Sequence, residues 1–573
     1  MLTRAFDFNR RNSLVSVSKD GTSLPVIKIY EDIVSSPSTA SEVTHINGIA
    51  ATKYLQDAVF KVTYNQDPDA AYNSMFYEKA FVASGSGTGF FKAGGRIRYV
   101  YQGPNTTITF ANGTEFTFEN FARVKEAFTG VTTGEAMYTK FCSPRGAAAF
   151  DSAAVEPAAV TGYPPPLIST SDDVVSCYFL DGPGYEDVAV ISLLGFSSQS
   201  PAEFQAVSQE CFARAVKAGR KKLVVDFQAN GGGYILLGYD FFRQLFPQVV
   251  QDGFSRWKEN LGFNTISRIV SDKVAGLNPY TSGDGDLIDA WETWFNWRYD
   301  YDVDNKNFTS YEDKFAPHVY KNTPYTDLMR WNFDNPLTTV NDTFGIGIEI
   351  TGYGALANVT QPFAAENIVI LYDGLCASTC TLASEFLRLQ GGVKSVAFGG
   401  RPQPGPIDGV GGVKGSQTLS YNSVQKYAQW VRKWATTDEQ RAALDRYTSL
   451  PLQRSTAASL NTRDQILRPN LADGIPAQFV REEADCRLFW TEAMIKDVSA
   501  VWKATADAAF NGGKCAHGGI SRPAGVDEKA AKLAKNFVPA PPRKDSFQAS
   551  HQQNMSPEQH QRWLEKHFQK VVV

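Results

Sequence analysis

Four short apolar runs alternate with amphipathic segments in the middle of this chain. The runs are EDVAVISLLGF (186–196), KKLVVDF (221–227), NIVILYD (367–373) and VKSVAFGG (393–400). The segment after the first, AEFQAVSQECFARAVKAG (202–219), has helical spacing of apolar residues and a glycine stop at Gly219. YILLGYDFFRQLF follows the second run and TCTLASEFLRLQ (379–390) the third. Apolar strands separated by amphipathic helices imply an α/β core.

Residues 13–140 follow different rules. SLVSVSKDGTSLPVIKIY (13–30) predicts two strands around Asp20-Gly21, and TITFANGTEFTF (107–118) a hairpin around Asn112-Gly113. Ile49 to Phe60 has helical periodicity, and RIRYVYQG (96–103) reads as a strand. The expectation is a β-rich N-terminal module over 1–142. An Ala/Pro/Ser-rich linker follows over 143–175. A core in two parts, 176–250 and 366–525, is interrupted by an aromatic and acidic insertion over 251–365. A polar tail with a short terminal helix covers 526–573.

Composition narrows the function. Lys and Arg number 56 against 60 Asp and Glu, a net charge of −4, which gives no basic footprint for nucleic acid or anionic membrane. No apolar run approaches the ~18 residues of a membrane span, and no basic-apolar-small leader follows Met1. The seven Cys are an odd number, so one thiol is left over. Cys376 and Cys380 lack nearby zinc ligands and read as buried thiols or a disulfide; Cys486 and Cys515 are a second candidate bridge. Glycosylation sequons stand at Asn105, Asn112, Asn307, Asn341 and Asn358.

Two turns carry candidate chemistry. In VVDFQANGGGY three successive glycines lie between a strand and a helix, where backbone N–H groups can face an oxyanion or a phosphate. In DGLCASTC, Ser378 lies where a strand turns into a helix, which exposes a hydroxyl as in nucleophile elbows; its ordinary role there is helix capping. Other features read as structural. Asp300, Asp302 and Asp304 lack the glycine and glutamate of a calcium loop. Trp291, Trp294 and Trp297 share the spacing of one helix face and read as packing. The six His (45, 318, 517, 551, 560 and 567) read as surface residues.

Together, VVDFQANGGG, strand-DGLCASTC-helix-QGGV, GGRPQPGPIDGVGGVKGSQ (399–417) and FVREEADCRLFWT (479–491) resemble the tail-specific serine proteases, in the chlamydial-protease-like branch with secreted fungal members. The resemblance implies an α/β (α+β) fold, with a crotonase-like ββα core preceded by a PDZ-like module. It also implies a peptide or protein substrate, no cofactor or metal, and an extracellular location. Ser378 is then the nucleophile, with the N–H groups of Thr379 and of Gly231 or Gly232 as oxyanion hole. Glu482, in preference to Glu483, is the acid that orients a histidine base. That branch carries its histidine in an Asp-Gly-His-like motif ahead of the PDZ-like module, and no such motif stands here. The expectation is therefore a shortened chain, or a peptide-binding protein that has lost its base. Lys414 and Lys394 are the lysine alternatives, by analogy with Ser-Lys relatives. A crotonase-type acyl-CoA enzyme is a further alternative, since that fold also builds backbone oxyanion holes.

Overall fold

The computed structural model describes residues 5–141, 162–449, 458–541 and 556–570. Its centre is an eight-stranded sheet. The strand order is His517–Gly518, Cys486–Leu488, Lys394–Phe398, Ile368–Tyr372, Lys222–Asp226, Val188–Leu193, Val175–Phe179, Ile168–Ser169. The five strands from Cys486–Leu488 to Val188–Leu193 run parallel, and antiparallel strands close both edges.

Alternate side chains of each strand enter different layers, as the period of two requires. Ala189, Ile191, Leu223, Val225, Ile368 and Ile370 pack under the helices Pro201–Lys217, Ile235–Leu245 and Thr379–Glu385. Val188, Val190, Val224, Val369, Leu371 and Val396 face the helix Val498–Phe510 and the N-terminal hairpin Leu14–Val17/Val26–Ile29. Ser200 caps the first of these helices by accepting the Glu203 N–H, and Pro201 occupies its first turn.

The N-terminal module holds a four-stranded sheet ordered Ile49–Ala50, Val43–Ile46, Asn105–Phe110, Glu115–Glu119, with the helix Ala51–Val59 beside it. Both predicted hairpins form. The expected strand at 96–103 does not: Arg96–Tyr99 is a 3-10 turn that buries Ile97. The chain enters that turn through Gly94 and Gly95, both at positive φ, and Pro104 follows it.

The expected divisions are blurred in three places. Ile168–Ser169, assigned to the linker, is an edge strand of the main sheet; most of the rest of that linker, with Cys142, lies outside the described residues. Phe254–Trp257, assigned to the insertion, pairs with Ser459–Ile466 in a three-stranded sheet completed by Gln417–Ser420. The C-terminal helix Pro557–His567 packs into the body, with Trp563 and His567 buried; His567 is therefore not a surface residue, and His551 lies outside the described residues.

The three tryptophans do not share a helix, since Gly285–Trp291 ends at the first. Trp294 is buried and stacks on Trp257, which agrees with packing. Asp300 is bound by Lys314 Nζ at 2.7 Å and faces Arg463, so its carboxylate is already neutralised. Disulfides join Cys177–Cys211, Cys376–Cys380 and Cys486–Cys515. No helix among the described residues is long and apolar enough to cross a membrane.

Candidate active site

The two singled-out turns meet at the C-terminal ends of the neighbouring parallel strands Lys222–Asp226 and Ile368–Tyr372, the usual place for a ligand in such sheets. Asp373 ties them together. Its carboxylate accepts the Ala229 N–H at 2.6 Å and the Leu375 N–H at 2.8 Å. Burial raises its pKa to about 6, and that of Asp226, which accepts from Trp502 Nε1 and the Gln228 N–H, to about 7. The Ala377 N–H donates to Asn230 O at 3.1 Å, and Thr379 Oγ1 donates to Gly233 O at 2.9 Å. These bonds seat the glycine run directly against the serine turn.

Ser378 has φ 57° and ψ −121°, a left-handed backbone that a residue with a Cβ adopts at a cost of roughly 1–3 kcal/mol. It occupies the N-cap position of Thr379–Glu385, but its side chain makes no capping bond. Capping therefore does not account for the hydroxyl. The turn is held on both sides: the Ser378 N–H donates to Val413 O at 2.8 Å, and its carbonyl accepts the Thr381 N–H at 2.9 Å. The Cys376–Cys380 disulfide brackets it. Ser378 is only 1% exposed.

The glycines differ in what they can do. Gly232 donates its N–H to Asn230 Oδ1 at 3.0 Å and gives its carbonyl to the Phe196 N–H, so it is not an oxyanion donor here. Gly231 lines a small pocket beside the serine turn with Ala229, Leu375, Ala377 and, from the N-terminal module, Tyr64 and Asn65. Gly233, at φ 152°, has no room for a side chain, because a Cβ would stand 2.0 Å from the Phe196 carbonyl carbon.

Glu482 and Lys414 are buried and paired, Nζ to Oε1 at 3.0 Å. Arg388 binds the other oxygen of Glu482 at 3.1 Å. Among the described residues Glu482 meets these two cations and no histidine. Lys414 Nζ also donates to Val480 O at 2.7 Å. Lys394 is exposed at the start of the interior strand Lys394–Phe398, paired with Asp485 at 2.8 Å. Sequence reasoning missed Asn230 and Asp373. Their signals were the Asn-Gly and Asp-Gly steps at the ends of the two strands.

The family model described as a CPAF-like PDZ domain matches residues 7–129. The peptidase S41 family protein ustP of Aspergillus flavus is 30% identical, with 78% of this chain and 96% of that protein covered. The peptidase S41 family protein phomP1' of Diaporthe leptostromiformis is 28% identical, with 88% of this chain and 82% of that protein covered. Mature CPAF complexed with lactacystin is a solved structure 11% identical to this chain, with 93% of this chain and 84% of that one covered and a TM-score of 0.43.

Proposed function

From a chain that belongs to the peptidase S41 family and matches a CPAF-like PDZ domain over residues 7–129, we propose a serine endopeptidase that cleaves peptide bonds through an acyl-enzyme on Ser378. The observation that carries this reading is the strained Ser378, its hydroxyl unused for capping, fastened beside the glycine run. In the reaction Ser378 Oγ attacks the scissile carbonyl as its proton leaves to a base. The N–H groups of Gly231 and Thr379 receive the developing oxyanion, Thr379 with the start of its helix behind it. Collapse expels the amine, and water then releases the acyl group. The disulfides and the exposed sequons Asn105, Asn112, Asn307 and Asn358 support an oxidising, extracellular setting and a glycoprotein.

One observation favours a second reading, a peptide-binding protein without turnover. Glu482 is committed to Arg388 and to an ion pair with Lys414, and Lys414 is tied by that pair and by its bond to Val480 O. Without a positioned base, a serine loses roughly 10²–10⁴ in rate. Fluorophosphonate labelling followed by intact mass decides between the two. One adduct, absent in Ser378→Ala, supports the peptidase; peptide binding without any adduct supports the second reading.

A further inference from the structure

The chain's own C-terminal segment lies on the glycine run. Phe568–Lys570 pairs antiparallel with Gly232–Tyr234, in the register Gly232↔Lys570, Gly233↔Gln569 and Tyr234↔Phe568. The opposite edge of Gly232–Tyr234 is taken by Phe196, whose N–H and carbonyl bond Gly232 O and the Tyr234 N–H. The edge that holds Phe568–Lys570 is therefore the one open to an added strand, and Gly233 on it is bonded to Thr379, the residue after Ser378.

The preceding helix anchors the strand. Ser556 and Gln559 form a capping box and Pro557 starts the first turn, so the helix is locally encoded. Trp563 is buried and donates Nε1 to Gly345 O at 2.9 Å. Arg562 pairs with Asp289, and Lys566 Nζ lies 3.3 Å from Glu292. Both acids come from the insertion. Phe568 stands edge-on to Tyr234, ring centroids 5.0 Å apart.

Resting on the peptidase reading for the identity of the neighbouring site, we infer that the Gly232–Tyr234 edge, with Asp289 and Glu292 beside the helix that leads to it, is a peptide-binding surface whose resident occupant is residues 556–570 of this chain, and that incoming peptides must displace it. Cis occupancy of this kind lowers the apparent affinity for any other peptide by the fraction of molecules left open. It also assigns a recognition pattern: a helix whose last turn carries a cation reaching Glu292, followed two positions later by an aromatic residue that faces Tyr234 and opens an extended strand.

The test uses the full chain in three forms: unaltered, R562E/K566E and Trp563→Ala. A fluorescein-labelled peptide of residues 556–573 is titrated into each, and amide hydrogen exchange is followed at 232–234 and 568–570. Both sets of amides are expected to be protected in the unaltered chain, and the peptide to bind each variant at least about tenfold tighter than the unaltered chain. Unprotected amides in the unaltered chain overturn the inference even if a variant misfolds. Equal peptide binding to all three forms overturns it as well. Fluorophosphonate labelling of the same samples reads the peptidase proposal separately. Faster labelling of both variants supports both. A gain in peptide binding with no adduct in any form keeps the peptide surface and rejects the nucleophile.

Discussion

Lys414 Nζ lies 3.0 Å from Glu482 Oε1, with both side chains about 95% buried. The pair joins the loop that receives the Ser378 N–H, through Val413, to the segment before the strand Cys486–Leu488. The two halves are unequal. Loss of Lys414 leaves Glu482 bound to Arg388, whereas loss of the Glu482 charge leaves Lys414 with Val480 O alone. Removing one partner of a buried pair costs about 3–5 kcal/mol. Glu482→Gln is therefore expected to destabilise by about 3 kcal/mol and Lys414→Met by less, with the double variant recovering part of the loss. Urea unfolding of the four proteins checks this. Equal losses would mean that Arg388 does not share the carboxylate.

The turn at Ser378 predicts a trade between stability and chemistry. Both Ser378→Ala and Ser378→Gly remove the hydroxyl, but only glycine relieves the left-handed backbone. Relief of about 1–3 kcal/mol, less about 0.5–1 kcal/mol for the added freedom of the unfolded chain, leaves Ser378→Gly about 1 kcal/mol more stable than Ser378→Ala. Neither accepts fluorophosphonate. A more stable alanine variant would show that the turn carries no strain.

Much of the core and the serine turn was legible because both rest on local rules. Apolar strand runs, an Asn-Gly or Asp-Gly step and a helix stop each act within about ten residues. What escaped depends on distant partners. Phe568–Lys570 is too short to show strand alternation, and nothing in those three residues points to Gly232–Tyr234, more than 300 positions earlier. Lys414 and Glu482 were read as separate candidates, for base and for orienting acid, because neither position names the other in sequence. The segment at 96–103 alternates like a strand, yet Gly94 and Gly95 turn it before any neighbour can pair with it.

Buried acids under the site set a pH dependence. Asp226 and Asp373 have pKa values raised by burial to about 7 and about 6, above their unfolded value near 3.8. Glu78, buried with no hydrogen-bond partner among the described residues, is raised well above the usual range by that burial and by the charge of Asp373. Across the window from the unfolded value up to about 7, the native state holds more protons than the unfolded chain. The contribution of Asp226 and Asp373 is complete below about pH 4 and is lost as pH rises through about 6 and 7. Urea midpoints are expected to fall between pH 5 and pH 8, and Asp226→Asn is expected to flatten that slope. A steeper fall in Asp226→Asn would reject the assignment.

The disulfides separate stability from site geometry. Cys177–Cys211 spans 34 residues and Cys376–Cys380 only 4. Chain entropy assigns nearly 4 kcal/mol to the first loop and about 2 kcal/mol to the second. The short bridge nevertheless brackets Ser378, and a displacement of about 1 Å in a reacting group can cost 10²-fold. Replacing Cys177 and Cys211 by alanine is expected to lower the urea midpoint most, while the folded fraction labels at the normal rate. Replacing Cys376 and Cys380 is expected to lower the midpoint less and slow labelling at least about tenfold. If labelling follows only the folded fraction in both double variants, the short bridge does not hold the nucleophile, and the hydrogen bonds around the turn do.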